Sequence, residues 1–132
     1  MVIDSSALMA ILLDEQEAPH FLDHLSSDQP KHISTATLFE SQMVALRILG
    51  DEGLRELRIL LQLGRIDPIQ LTPNHVEWAL QGWRTFGKGR HRAGLNLGDC
   101  FSYGLARAMN MPLLYKGNDF SHTDVQSVGP QR

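Results

Sequence analysis

Residues 1–15 read MVIDSSALMAILLDE, and the parsing of this opening decides the fold. Val2 and Ile3 have the β-branched, apolar character of a buried strand. Asp4 follows at once, then the hydroxyls of Ser5 and Ser6. Apolar side chains return over residues 6–13 with the density of a short helix. Residues 1–4 are therefore predicted as a strand that hands over directly to a helix, with a carboxylate at the strand's end. A carboxylate that leaves water without a partner is costly, so Asp4 needs a reason to be there.

The same alternation continues along the chain. EAPHFLDHLSS, around 17–27, predicts a second helix closed by turn chemistry from Asp28 to Pro30, and HIS at 32–34 a brief strand. Thr35 or Thr37 is placed to cap a long helix through TLFESQMVALRIL that stops at Gly50. Leu54, Leu57, Ile59, Leu60 and Leu61 give Asp51–Leu63 helical spacing, ended by Gly64. IDPIQL at 66–71 reads as a strand. Thr72 and Pro73 then open a helix, because proline suits the first helical turn; it carries Val76, Ala79, Leu80 and Trp83 and ends near Phe86. GKGRHRAG, 87–94, is a glycine-punctuated basic loop. A helix from Leu97 to Asn110, an apolar strand PLLYK at 112–116, the turn GNDFSHTD and a last edge strand VQSV complete the chain. Strands alternating with helices predict a parallel sheet covered on both faces, within one α/β domain over 1–132.

Composition bounds the function. A chain of 132 residues with 42% hydrophobic and 20% charged residues buries about two-thirds of its unfolded surface. The single cysteine, Cys100, excludes an internal disulfide and fits a reducing compartment. No apolar run reaches the roughly 18 residues of a membrane span, and Asp4 stands where a secretion signal would carry basic residues; the expected location is the cytoplasm. The formal charge of −3 gives no general attraction for nucleic acid. Such a partner would need a local basic patch; Lys88, Arg90, His91 and Arg92 are either that patch or a solvated loop.

Three more acids raise the question that Asp4 raises. In parallel sheets, ligands gather at the carboxyl ends of strands, and Asp119 lies just past PLLYK. Glu40 sits at helical spacing from Ala36, Met43 and Val44, a largely apolar face expected to point inward. Asp99 occupies the first turn of its helix, near Phe101 and Leu105. Taken singly, Asp4, Asp99 and Asp119 have bland readings as a cap, a dipole-favoured residue and a turn residue, and Glu40 as a salt-bridged side chain. Together they repel: two carboxylates about 4 Å apart cost about 4 kcal/mol at an effective dielectric near 20. Such a cluster takes up protons or a cation, and hard oxygen donors without a His or Cys set point to Mg²⁺, with Mn²⁺ as a substitute.

MVIDSSAL at the start, STATLFE ending at Glu40, LNLGDCFSYGLA around Asp99 and LLYKGNDFSHTD near the end resemble, in that order, the PIN-domain ribonucleases, and more narrowly the VapC toxins of VapBC toxin–antitoxin pairs. The resemblance covers essentially the whole chain. It implies a three-layer α/β/α sandwich with a central parallel sheet and a Mg²⁺-dependent endoribonuclease site. The family's acids fall on Asp4, Glu40, Asp99 and the Asn118–Asp119 pair, and its small hydroxyl residue on Ser6. Many relatives carry two acids in the last motif; here the first is Asn118, and the fourth carboxylate is assigned to Asp119. Arg92 stands where relatives often have proline, which adds charge to the basic loop.

The expected chemistry is in-line hydrolysis of an RNA phosphodiester, with Mg²⁺ at Asp4, Asp99 and Asp119. Glu40 either binds metal or orients the attacking water. Ser6 either serves that site or caps a helix. Lys88, Arg90, His91 and Arg92 are candidate phosphate contacts; Trp83 and Tyr103 either stack on bases or fill the core. Residues 43–63 carry more aliphatic side chains than one helical pair needs. Most are expected in the core, with a surplus that suits a homodimer and a groove for an antitoxin helix. The resemblance also implies a VapB-type antitoxin covering the acids, with DNA reached only through it. Two rival readings are a PIN-fold RNA- or protein-binding module without catalysis, and a phosphate-accepting receiver domain, which Lys116 leaves open.

Overall fold

The computed structural model describes residues 1–129. Its elements run β1 (Val2–Ile3), α1 (Ser5–Leu12), α2 (Ala18–Leu25), β2 (Lys31–Ser34), α3 (Thr35–Leu63), β3 (Ile66–Ile69), α4 (Pro73–Phe86), α5 (Leu97–Met109) and β4 (Leu113–Leu114), with a 3₁₀ turn at Phe120–His122. The sheet order is β3-β2-β1-β4, and every pairing is parallel, with Val2 opposite both His32 and Leu113. From β1 the chain builds outward through β2 and β3, then returns to lay β4 on the other side. The carboxyl end of β1 is thus the switch point where an open parallel sheet forms its crevice.

Successive residues of a strand face opposite sides, and here they feed two cores. Ile3 and Leu114 join Leu8, Phe21, Ile33 and Leu57 in one. Val2 and Leu113 join Tyr103, Leu105 and Phe120 in the other. Helices α1 to α3 cover the first face, and α4 and α5 the second. The result is a three-layer α/β/α sandwich, as the sequence predicted. The α4–α5 contact depends on Gly82, where a Cβ would lie 2.4 Å from Cδ1 of Tyr103. Tyr103 is therefore a core residue.

Several local expectations change. The cap of α3 is Ser34, whose hydroxyl accepts from the Ala36 amide at 3.2 Å; Thr35 instead accepts from the Leu71 amide, and Thr37 is fully buried. Gly50 does not stop the helix but kinks it, at φ 71° and ψ −160°, and helix resumes to Leu63. VQSV is not a strand; Ser127 makes an isolated bridge to Leu113. Only about half of the aliphatic side chains of 43–63 belong to the core or pack against it, Val44, Leu60 and Leu61 among them. Ala45 and Leu57 are buried, while Met43, Leu46, Ile48, Leu49, Ile59 and Leu63 are exposed, Leu63 at 77%. A long helix on the outside of a layer buries only one stripe, and this sequence is apolar on more than that stripe. Among the described residues, no helix is long and apolar enough to cross a membrane.

Candidate active site

The short β1 strand delivers Asp4 to the switch point and stops, because Asp4 itself caps α1. Its carboxylate accepts from the Ser6 amide at 3.1 Å and the Ser6 hydroxyl at 2.6 Å, so Ser6 is not the cap but the group that the cap holds. Asp4 is 3% exposed. Its second oxygen accepts from the Ser102 hydroxyl of α5 at 2.5 Å, and Ser102 lies 3.3 Å from the Thr37 hydroxyl of α3. The Ser6 hydroxyl in turn accepts from the Lys116 amide, just after β4, at 2.9 Å. One buried carboxylate therefore ties β1 to α5 and to the loop after β4.

Glu40 reaches the same neighbourhood from α3. Its carboxylate accepts from the Ser5 hydroxyl at 3.0 Å and lies over the bare backbone of Gly98, where an added Cβ would come within 2.0 Å of Oε2. The apolar face expected around Glu40 does not point inward as a whole, since Met43 is exposed. Burial, and then the charge of Asp4 against the Ser5 hydrogen bond, raise Glu40's pKa.

Asp99 stands one residue beyond Gly98, at the start of α5. Asn96 caps this helix: its side chain accepts from the Asp99 amide at 2.9 Å, and the Asp99 carboxylate accepts from the Asn96 amide at 3.0 Å. That reciprocal box fixes the helix start. Burial pushes Asp99 up to about 7, helped by the charges of Asp4, Asp119 and Glu40 and opposed by the Asn96 amide. Burial, with Asp99 beside it, also pushes the Cys100 thiol up to about 11, which leaves it protonated and a poor nucleophile at neutral pH.

The four acids of the sequence analysis are thus one electrostatic neighbourhood, registered at Asp99. They are not a closed shell. Among the described residues, no three His, Cys, Asp or Glu side chains are gathered tightly enough to hold a metal as they stand. The reason is physical: like charges repel, and Asp4, Glu40 and Asp99 are each turned to a hydrogen-bond donor of their own. The donor chemistry, oxygen throughout and in negative excess, fits a hard divalent cation.

The other predicted residues separate. Asp119 contributes charge to the group, whereas Asn118 is exposed and lines a neighbouring cavity. The basic loop is pinned at its base by the Lys88 amide on the Leu95 carbonyl and the Leu95 amide on Phe86. On it, Lys88, Arg90 and Arg92 are exposed. Arg90 lies over the Trp83 ring, 4.1 Å from its centroid, and Trp83 is 39% exposed. His91 packs edge-on against Phe86 and accepts from the Ala93 amide. Sequence reasoning missed Ser5, Thr37, Gly98 and Ser102. Ser102 was within reach of the logic applied to Glu40, since it is a polar residue one helical turn from Asp99 among apolar neighbours.

Comparison with known proteins follows this geometry. The PIN domain family model matches residues 1–126. VapC30, a ribonuclease of Mycobacterium tuberculosis, is 46% identical over 128 residues, covering 97% of this chain and 98% of that protein. The VapC ribonuclease of Mycolicibacterium smegmatis is 43% identical over 128 residues, covering 97% and 99%. Among solved structures, M. tuberculosis VapC20, described as a sarcin–ricin loop cleaving toxin, aligns with a TM-score of 0.77 at 16% identity over 98% of each chain. VapBC2 from Rickettsia felis, bound to a fragment of its promoter DNA, aligns at 0.73 and 17% identity over 96% of this chain and 94% of that one.

Proposed function

The chain belongs to the PIN-domain family, alongside the VapC ribonucleases, and from that premise we propose that it is an endoribonuclease toxin, dependent on Mg²⁺ or Mn²⁺ and neutralised by a cognate VapB-type antitoxin in the cytoplasm. The observation that carries the reading is the coupling of Asp4, Glu40 and Asp119 to Asp99 at the switch point of the sheet. A site that concentrates negative charge is suited to a cation and, through it, to a phosphate. The alternative of a non-catalytic PIN module is not favoured, because all four acids are present and Asp4, Glu40 and Asp99 are each oriented by a donor of their own.

A divalent ion, when bound, supplies charge neutralisation on the phosphate and lowers the pKa of a water. The residues of the chain do the rest. Asp4, held at both oxygens by Ser6 and Ser102, would be the ion's rigid ligand, and Asp99 and, from the loop after β4, Asp119 would be the others. Glu40, held by Ser5, is placed to orient the attacking water and accept its proton. Asn118 stands outside this set. Lys88, Arg90, His91 and Arg92 contact flanking RNA phosphates, and their charge supplies the local attraction that a net charge of −3 does not. The exposed aliphatic surface of α3, together with Phe39 at 66% exposure, suits an antitoxin helix and a second copy of the chain. Toxin–antitoxin complexes among the structural neighbours support such a partner.

The test is cleavage of RNA by the purified protein. Cutting in Mg²⁺ or Mn²⁺, abolished by EDTA and by Asp4→Asn, is the expected result. Full cutting in EDTA would remove the metal from the proposal. Full cutting by Asp4→Asn would remove the site.

A further inference from the structure

A cavity of about 740 Å³ opens beside the acids, within the size range of small-ligand sites. Its wall is continuous with them: the Lys116 amide donates to Ser6, whose hydroxyl donates to Asp4. Phe21 and Tyr115, 3% and 2% exposed, form its floor. Gln16, His20, Asn118 and Ser121 line it as well. His20 is braced edge-on by Phe21 and His24, with centroids 5.3 Å and 4.8 Å away. The Ser121 hydroxyl donates to the Asn118 carbonyl at 2.7 Å, so toward the cavity it offers lone pairs.

The charges rule out a phosphate pocket. The Lys116 ammonium is taken by Glu15 at 2.7 Å and faces Glu17 at 3.6 Å, and Glu17 itself lines the cavity. Beside that ion pair the cavity has an aromatic floor ringed by amide, imidazole and hydroxyl groups. This is the chemistry that reads the edge of an unstacked base. Resting on the ribonuclease reading above, we propose that this cavity receives the nucleobase next to the scissile phosphate and sets the sequence preference of cleavage.

The experiment uses short single-stranded RNAs carrying each of the four bases at each position flanking the cut. Gln16 and Ser121 are exposed, so Gln16→Ala and Ser121→Ala preserve the fold, which melting confirms. The wild type is expected to rank bases at one flanking position with a spread of about tenfold or more. The variants are expected to compress that spread to a few-fold, chiefly by slowing the preferred RNA. An unchanged ranking and spread in the variants overturns the inference while the ribonuclease reading stands. So does a wild type that cuts with no flanking preference. Variants that keep the spread but lose capture of the antitoxin would assign the cavity to a protein partner and also overturn it. A wild type that cuts none of these RNAs in Mg²⁺ or Mn²⁺ overturns both readings together.

Discussion

Helix α5 meets one carboxylate near each end, and the two are treated in opposite ways. Near its carboxyl end, Asp124 receives an ion pair from Arg107 and a hydrogen bond from the Tyr103 hydroxyl at 2.8 Å; partial burial acts against them, yet these partners hold its pKa below the usual range. At the amino end, Asp99 is pushed up to about 7, by burial first and then by the charges of three other carboxylates. A structural acid is given a cation from the chain itself. Asp99, a ligand in the proposed function, is left in buried, negative surroundings that a proton or an external cation relieves.

The largest expected effect breaks the contrast at its acidic end. Asp99→Asn should lower RNA cleavage by at least about a hundredfold, since charge stabilisation by a bound metal is worth several kcal/mol. The same variant should show a pH signature in EDTA. Below 3.8 Asp99 is protonated in folded and unfolded chains alike. Between 3.8 and about 7 the unfolded chain releases a proton that the folded one keeps, so stability falls as pH rises and the loss is complete above that window. Melting of wild type and Asp99→Asn across pH 4 to 8 should therefore diverge, with the variant the more stable at high pH. Parallel curves would show that Asp99 is not in a strained electrostatic position.

Gly98→Ala comes next and sharpens the comparison by sparing the charges. The new Cβ would displace the Glu40 carboxylate, which is the far end of a flexible side chain, so the fold adapts; alanine is also the better helix former by up to about 1 kcal/mol. Cleavage should fall by about tenfold to a hundredfold, because misplacing a catalytic group by about 1 Å costs that much, while the melting temperature holds or rises. Loss of both together would make Gly98 a packing residue.

Ser102→Ala removes one donor from Asp4. A hydrogen bond to a charged group contributes about 1.5–3 kcal/mol, so the variant should melt lower at neutral pH. It should also weaken stabilisation by Mg²⁺, titrated by thermal shift, because Asp4 is then held only by Ser6. Unchanged Mg²⁺ response would confine Ser102 to the fold.

The sequence made the acids legible for the same reason that it hid their supports. Asp4, Asp99 and Asp119 fall at strand ends and helix starts, positions that period and turn chemistry locate, and Glu40 interrupts a partly apolar face. Their donors carry no such mark. Ser102 looks like an ordinary helical serine until α5 is docked against β1, and Gly98 matters only because Glu40 arrives from 58 positions earlier in the chain. The kink at Gly50 and the exposure of α3 were misread because helical spacing reports which residues are apolar and not how many of them the neighbouring layer can cover. Ser34 won the cap from Thr35 and Thr37 because β2 ends there, a boundary fixed by pairing with β3 rather than by local preference.

The smallest effect breaks the contrast at its structural end. Asp124→Asn removes the negative charge from a pair that is half exposed, Arg107 at 31% and Asp124 at 51%, so the loss should be below about 1 kcal/mol. Its direction with pH is opposite to that of Asp99. A folded pKa below 3.8 means that the pair stabilises the protein above 3.8, and that the contribution disappears as pH falls through the lower folded value. Wild type and Asp124→Asn should thus differ in melting temperature at pH 7 and converge as the pH falls below 3.8, while RNA cleavage at pH 7 stays within about twofold. Arg107 also packs against Trp78, 4.9 Å from its ring centroid, so the cation keeps a partner when the carboxylate is neutralised. A large loss of cleavage in Asp124→Asn would mean that the two ends of α5 are coupled, and that this carboxylate serves the chemistry as well as the fold.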